Sequence, residues 1–78
     1  MKTYILRVNV EQEEDGRWSA WIDALPGCAA WGYTRDEALQ AIKDAAELYI
    51  EDMIEAGEEL PKEGIDVIDA PAVAVTLS

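Results

Sequence analysis

Residues 25–39, LPGCAAWGYTRDEAL, contain a turn, a strand end and a helix start in immediate succession. Pro26 and Gly27 predict a turn, because proline fixes φ and glycine accepts a positive φ. Residues 28–31 predict a short strand, which Gly32 ends. A stretch of this kind could be a catalytic loop or a junction between a strand and a helix. The turn and strand signals favour the junction.

A helix is predicted to begin directly after Thr34. Thr34 and Glu37 match a capping box, in which the threonine oxygen accepts a hydrogen bond from the Glu37 N–H and the glutamate bonds back to the N–H of the cap. The helix is expected to cover residues 35–56 and to stop at Gly57. Apolar residues at helical spacing predict a buried stripe of Ala38, Leu39, Ile42, Ala46, Tyr49, Ile50, Met53 and Ile54.

Alternating apolar residues on both sides of this junction predict the other strands. They are expected at residues 3–10, 17–23 and 72–77. Between the first two, Asp15 and Gly16 predict a hairpin with a type I′ turn, which requires two residues at positive φ. The element order is therefore strand, strand, strand, helix, strand.

This β-β-β-α-β order predicts an α+β fold, a two-layer sandwich in which one helix covers one face of a mostly antiparallel sheet. A chain of 78 residues is expected to form one domain. Residues 58–71, which contain two prolines, are expected to be mostly loop, with a short apolar extension at 65–68. The second face of the sheet is left open.

The charge of the chain limits the kinds of partner. Six Lys and Arg against seventeen Asp and Glu give a net charge of −11. This charge repels phosphate backbones, so we expect no direct binding to nucleic acid, and it attracts basic proteins. Neither a membrane-length apolar run nor a signal-peptide pattern is present, so we expect a cytoplasmic protein that does not bind membranes.

Catalysis and metal binding find little support in the sequence. The chain has no histidine, and Cys28 is interpreted as a small buried hydrophobic residue rather than a nucleophile. The carboxylates that could serve a divalent-metal nuclease are Asp15, Asp23, Glu37, Asp44, Glu47 and Glu51. Turn and capping roles account for Asp15 and Glu37, and solvated surface charge accounts for the others. We therefore predict no catalytic residue, no metal site and no cofactor.

Two surfaces are predicted to bind a partner. Trp21 and Trp31 are expected on the open sheet face with Ile5 and Arg7, while Trp18 faces the core. Tryptophan and arginine are enriched at interface hot spots. The second surface is the acidic helix face, where like charges at this spacing destabilise the helix. Its residues are Asp44, Glu47, Glu51 and Glu55. The sequence leaves open which surface is used, and an ordinary solvated face is the alternative for the second.

A D-G turn, the run WSAWIDALPGC and the spaced motif G-x-T-x-x-E-A-L occur here in one order. In this the chain resembles the HicB-like antitoxins of bacterial and archaeal toxin–antitoxin systems, over residues 3–57. The positions that carry the fold motif are Asp15, Gly16, Pro26, Gly27, Cys28, Gly32, Thr34 and Glu37.

The resemblance implies a partial RNase H-like fold without a working nuclease site. It also implies binding to HicA toxins, which are small basic RNases. Many family members carry a C-terminal DNA-binding domain, whereas we expect residues 1–78 to form a single HicB-like domain without one.

Three functions are in view at this point. The first is an antitoxin-like binding protein, not an enzyme, that neutralises a basic HicA-type RNase toxin by occluding it. The second is a homo-oligomeric structural module without a toxin partner. A homodimer or higher oligomer is expected in either case. The third, and most remote, is a divalent-metal nuclease.

Overall fold

The structure, a computed structural model, describes residues 2–58 and 72–77. It confirms the predicted α+β fold of antiparallel strands and one helix. The elements are β1 (Lys2–Arg7), β2 (Asn9–Gln12), β3 (Trp18–Trp21), β4 (Ala29–Gly32), α1 (Arg35–Ala56) and β5 (Ala72–Leu77). The apolar extension predicted at 65–68 lies outside the described residues.

The first predicted strand is two strands that change partner at Val8. β1 pairs with β5, whereas β2 pairs with β3, which pairs with β4, and every pairing is antiparallel. The side-chain alternation continues across the break, because Tyr4, Leu6 and Val8 are all buried. Apolar periodicity reports the face that a side chain occupies and not the partner of its backbone. The pattern therefore predicted the face correctly and missed the break.

The hairpin between β2 and β3 is present, but its predicted type I′ turn is wrong. Gly16 has a φ of 94°, while Asp15 is not among the residues with positive φ. The Gly16 N–H donates to the Glu13 carbonyl at 3.0 Å, and the Glu13 N–H donates to the Arg17 carbonyl at 2.7 Å. This is the pattern of a three-residue loop with glycine in the left-handed position at its end. Only one residue then needs a positive φ, and glycine supplies it.

The predicted turn between β3 and β4 is confirmed. The Cys28 N–H donates to the Leu25 carbonyl at 2.9 Å, and Gly27 has a φ of 84°. Proline followed by a residue at positive φ is the sequence of a type II turn. The Tyr49 hydroxyl on α1 donates to the Pro26 carbonyl at 2.7 Å, which ties the turn to the helix.

The helix has the predicted bounds, Arg35–Ala56, with one change at its start. The Thr34 side chain accepts from the Glu37 N–H at 3.0 Å, as a capping box requires. The Glu37 carboxylate, however, accepts from the Tyr33 N–H at 3.2 Å, not from the N–H of the cap itself. Gly57 ends the helix at a φ of 73°, in the left-handed conformation.

The core lies between the helix and the inner faces of the strands. Leu25, in the turn before β4, is fully buried and was not predicted. Ile54 was placed in the buried stripe of the helix, but half of its surface is exposed. The buried residues are Tyr4, Leu6, Val8, Ala20, Ile22, Leu25, Cys28, Ala38, Ile42, Ala46, Ile50, Val73 and Val75.

Gly32 lies where the end of β4 meets the start of α1. A Cβ atom at this position would lie 2.5 Å from the Ala38 nitrogen and 2.7 Å from the Glu37 Cβ. The first of these is a backbone atom of the helix, so it cannot rotate away. Gly32 is therefore required for the close approach of strand and helix, in addition to ending the strand as predicted.

Substituting Gly32 with alanine is expected to lower the free energy of unfolding by about 3 kcal/mol, the upper range for overpacking a core. Urea unfolding followed by far-UV circular dichroism measures this change. The matched control is Gly16→Ala, where a Cβ would meet nothing within 4 Å. This variant should lower the free energy of unfolding by only about 1 kcal/mol, because an alanine in the left-handed conformation is strained. Equal losses in the two variants would contradict the steric role of Gly32.

Candidate partner-binding site

The three-stranded part of the sheet places one row of side chains across its outer face. Glu11 on β2 pairs with Ser19 on β3, and Ser19 pairs with Trp31 on β4. Ala20, the neighbour of Ser19, points to the core and is buried. The alternation of side chains along a strand therefore puts the row on the side away from the helix.

Trp31 is the exposed aromatic residue of this row, with half of its surface open to solvent. The ring of Tyr33 meets it edge-on, with the ring centroids 5.1 Å apart. The Arg17 guanidinium carbon lies 5.2 Å from the centroid of the Trp31 ring. This distance is within the range of a cation–π interaction. Trp31 thus contacts an aromatic ring and a cation of its own chain.

Arg17 is held in this position by Asp15. Its Nε donates to Asp15 Oδ2 at 2.7 Å, and a terminal nitrogen lies 2.6 Å from the same oxygen. The Arg17 backbone N–H also donates to Asp15 Oδ1. These interactions, led by the side-chain hydrogen bond, lower the pKa of the Asp15 carboxyl below its ordinary value. Both side chains are about half exposed.

A shallow open groove of about 820 Å³ runs between the β2–β3 hairpin and Trp31. We call it the hairpin groove. The Glu13 carboxylate faces it and accepts a hydrogen bond from the Ser19 hydroxyl at 2.6 Å. Its lining contains four carboxylates and one guanidinium, which makes it acidic. The lining residues are Glu11, Gln12, Glu13, Glu14, Asp15, Arg17, Ser19 and Trp31.

The predicted aromatic patch is only partly brought together. Trp21 and Trp31 lie on the same outer face, as expected from their register with Ala29 and Ser19. Trp21 is partly buried and does not line the hairpin groove. Arg7 is exposed on β1, which pairs with β5 and not with the tryptophan-bearing strands.

The acidic helix face is separate from the groove. Asp44, Glu51 and Glu55 are exposed, and Glu47 is partly buried. An exposed leucine, Leu48, lies among them with 64% of its surface open. Apart from Asp44, which accepts from the Gln40 side chain, these carboxylates make no hydrogen bond within residues 2–58 and 72–77.

Three of the carboxylates considered for a nuclease have different local roles. Asp15 pairs with Arg17, Asp23 accepts from the Asn9 side chain at 3.0 Å, and Glu37 caps the helix. In the described part of the chain, no group of three or more Asp, Glu or Cys side chains could hold a metal ion.

The same part contains no helix long and apolar enough to cross a membrane.

Cys28 has the environment that was predicted. It is a buried free cysteine, and burial raises the pKa of its thiol. A raised pKa keeps the sulfur protonated near neutral pH, which disfavours its use as a nucleophile.

Sequence reasoning missed Tyr33 and Arg17 as members of the site. Tyr33 follows Trp31 by two residues, so the strand alternation already placed both on one face. It was overlooked because Gly32 was taken to end the strand pattern. Arg17 lies two residues before Ser19, which pairs with Trp31, and it was missed because the register of β3 and β4 was not predicted.

These elements define a small acidic α+β domain with an aromatic outer face. A family model described as the HicB-like antitoxin of bacterial toxin–antitoxin systems matches residues 4–72. The chain belongs to this family, as its sequence motifs predicted.

Related proteins and solved structures agree with this assignment. A UPF0150 protein of Synechocystis sp. is 42% identical over 64 residues, which are 82% of this chain and 81% of the relative. A UPF0150 protein of Thermoplasma acidophilum is 37% identical over 65 residues, or 83% of this chain and 94% of the relative.

The fold is that of a solved antitoxin domain. The N-terminal domain of the Burkholderia pseudomallei antitoxin HicB matches 95% of this chain and 98% of its own length, with a TM-score of 0.72 and 20% identity. The longer HicB structure gives a TM-score of 0.68 at 21% identity, and this chain spans 64% of its length. At these identities the likeness shows the fold alone.

Replacing Arg17 with glutamine is expected to raise the pKa of Asp15 toward its ordinary value, because the lowered pKa comes mainly from Arg17. In the native chain the pair stabilises the fold above the ordinary carboxyl pKa. That contribution is lost as the pH falls through the lower, folded-state pKa. An NMR titration of the Asp15 carboxyl carbon measures the shift. Arg7→Gln removes the same charge elsewhere and serves as the control. An Asp15 pKa that is equal in all three proteins would contradict the ion pair.

Proposed function

We propose that this chain is a non-enzymatic antitoxin that neutralises a small basic HicA-type RNase toxin by occluding it, in the cytoplasm. Membership of the HicB-like antitoxin family is the observation that carries this proposal. The net charge of −11 suits a basic toxin as partner. The partial RNase H-like character of the fold, implied by the sequence resemblance, stays a prediction.

Occlusion requires only a complementary surface on the antitoxin. A basic RNase presents positive charge where it holds the phosphates of RNA. An acidic protein that covers this surface competes with the RNA itself. No catalytic residue of the antitoxin is needed for this inhibition, which agrees with the local roles of its carboxylates in turns and caps.

The proposal predicts a latent RNase in the native complex. The chain is purified from its own cells under native conditions, and the captured proteins are separated under denaturing conditions and refolded. We expect a small basic protein whose RNase activity appears only after this chain is removed, and is lost again when the purified chain is added back. Recovery of this chain alone, with no latent RNase, would overturn the antitoxin role.

The strength of the complex should depend strongly on salt. Raising NaCl from about 0.1 M to about 1 M shortens the Debye length from about 10 Å to about 3 Å, so we expect the affinity to fall by tenfold or more. Isothermal titration calorimetry at several salt concentrations measures the change. Sucrose at matching osmolality is the control, since it does not screen charges. A salt-independent affinity would argue against charge complementarity.

Self-association is a second candidate, and one observation favours it. Within the described residues, β4 pairs on one side only, with β3, so its other edge is unpaired. An unpaired edge can bind the same edge of a second copy. A homodimer formed in this way is compatible with toxin binding. Light scattering across a concentration series decides between a monomer and a dimer.

A further inference from the structure

We propose that the hairpin groove is the place where this chain takes up arginine or lysine side chains of its basic protein partner, with Trp31 as the aromatic surface on which they lie. The identity of the partner rests on the proposed function. The preference of the groove for a cationic side chain rests on the geometry and charge of the groove itself and is tested separately.

The groove already holds one cation of its own chain. The Arg17 guanidinium lies over the Trp31 ring at 5.2 Å and is hydrogen-bonded to Asp15 at 2.7 Å. An aromatic ring attracts the guanidinium that lies over its face, and a carboxylate accepts hydrogen bonds from the guanidinium N–H groups. The arrangement around Arg17 therefore shows the chemistry that the groove can offer to an incoming side chain.

One internal cation does not neutralise the groove. The lining contains four carboxylates and a single guanidinium. Asp15 is paired with Arg17, but Glu11 and Glu14 make no hydrogen bond or ion pair in the described part of the chain. They leave negative charge beside a half-exposed tryptophan. A partner's lysine or arginine can use this charge and the half of the Trp31 surface that stays exposed.

Within the described residues, side-chain hydrogen bonds hold two carboxylates of the groove and one of the acidic helix face. Ser19 holds the Glu13 carboxylate, Arg17 holds Asp15, and Glu11 lies on a paired strand. Groups that are already in place lose less side-chain entropy on binding. The exposed Glu51 and Glu55 of the helix have no such partners within the described residues. The groove is therefore the stronger candidate of the two.

Charge also decides between the occupants that could cover this face. A second copy of the chain carries the same net charge of −11 and has only six basic residues, so it is repelled from an acidic groove. Nucleic acid is repelled for the same reason. A basic protein is the occupant that complements both the carboxylates and the aromatic ring.

The test uses the full ¹⁵N-labelled chain and a hexa-arginine peptide as the probe. We expect the largest chemical-shift changes at the amides of residues 11–19 and 31–33. Trp31→Ala, a change at a half-exposed position, should weaken peptide binding about tenfold. Shift changes that are centred on the helix, or spread evenly over the acidic surface, would overturn the proposal.

Charge-matched variants separate a specific groove from general acidity. Glu11→Gln with Glu14→Gln should weaken binding severalfold more than Asp52→Asn with Glu58→Gln, although each pair removes two negative charges. The rival surface is tested by Glu51→Gln with Glu55→Gln. A larger loss for this helix pair than for the groove pair would overturn the proposal.

Removing the internal cation should have the opposite effect. Arg17→Gln removes the positive charge from the lining and uncovers the Trp31 ring, so we expect severalfold tighter binding. Arg7→Gln makes the same change of net charge away from the groove and should give a smaller gain. A loss as large as that of Trp31→Ala would show that Arg17 is itself a contact and that the groove does not receive cations.

Repeating the variants on the captured toxin separates this inference from the proposed function. A toxin that binds Trp31→Ala and the groove pair as tightly as the native chain would overturn the groove and leave the antitoxin role standing. If no toxin is captured, the antitoxin role fails, and the peptide titration still decides whether the groove receives cations.

Discussion

The close approach of β4 and α1 at Gly32 is the constraint on which the rest of the structure depends. The backbone of the strand and the first turn of the helix are nearer than any Cβ allows, so the helix starts directly against the sheet. Thr34 then caps the helix two residues later. A helix that starts here lies across the inner face of the strands and covers the core along its buried stripe.

The same junction determines which side chains lie on the outer face of the sheet. Because Gly32 faces the helix, its neighbours Trp31 and Tyr33 must point away from it, since side chains alternate along a strand. Both are exposed, and their rings meet edge-on. The aromatic part of the hairpin groove is thus a direct consequence of the packing that forms the core. A shift of one residue at the junction would bury both rings and turn Gly32 outward.

Much of the fold could be predicted because its signals are local. Proline before glycine, threonine three residues before glutamate, and an apolar stripe at helical spacing each depend only on nearby residues. The wrong predictions concern features that depend on a second helix or strand. The break at Val8 depends on which strand pairs with each half of the segment. Ile54 fits the helical spacing of the stripe, yet half of its surface is exposed.

The candidate site was harder to predict, because it combines residues through the hairpin. Trp31 was singled out from its position in the strand pattern, and the structure places it in the groove. Arg17 lies two residues before Ser19, which pairs with Trp31, so the register of β3 and β4 brings Arg17 beside the ring. This register was not predicted, so the contact between Arg17 and Trp31 was missed.

The hairpin groove and the acidic helix face differ in how their charge contributes to binding a partner. Charges anywhere on the chain raise the rate of encounter with a basic protein, because the long-range field sums over all of them. Affinity at contact depends instead on groups that are already held in position. The carboxylates of Asp15 and Glu13 are held by hydrogen bonds beside an aromatic ring. Glu51 and Glu55 of the helix face are exposed and accept no hydrogen bond within the described residues. Steering by the whole chain and recognition by the hairpin groove are therefore separable. Salt should act mainly on the first, and changes at Trp31 mainly on the second.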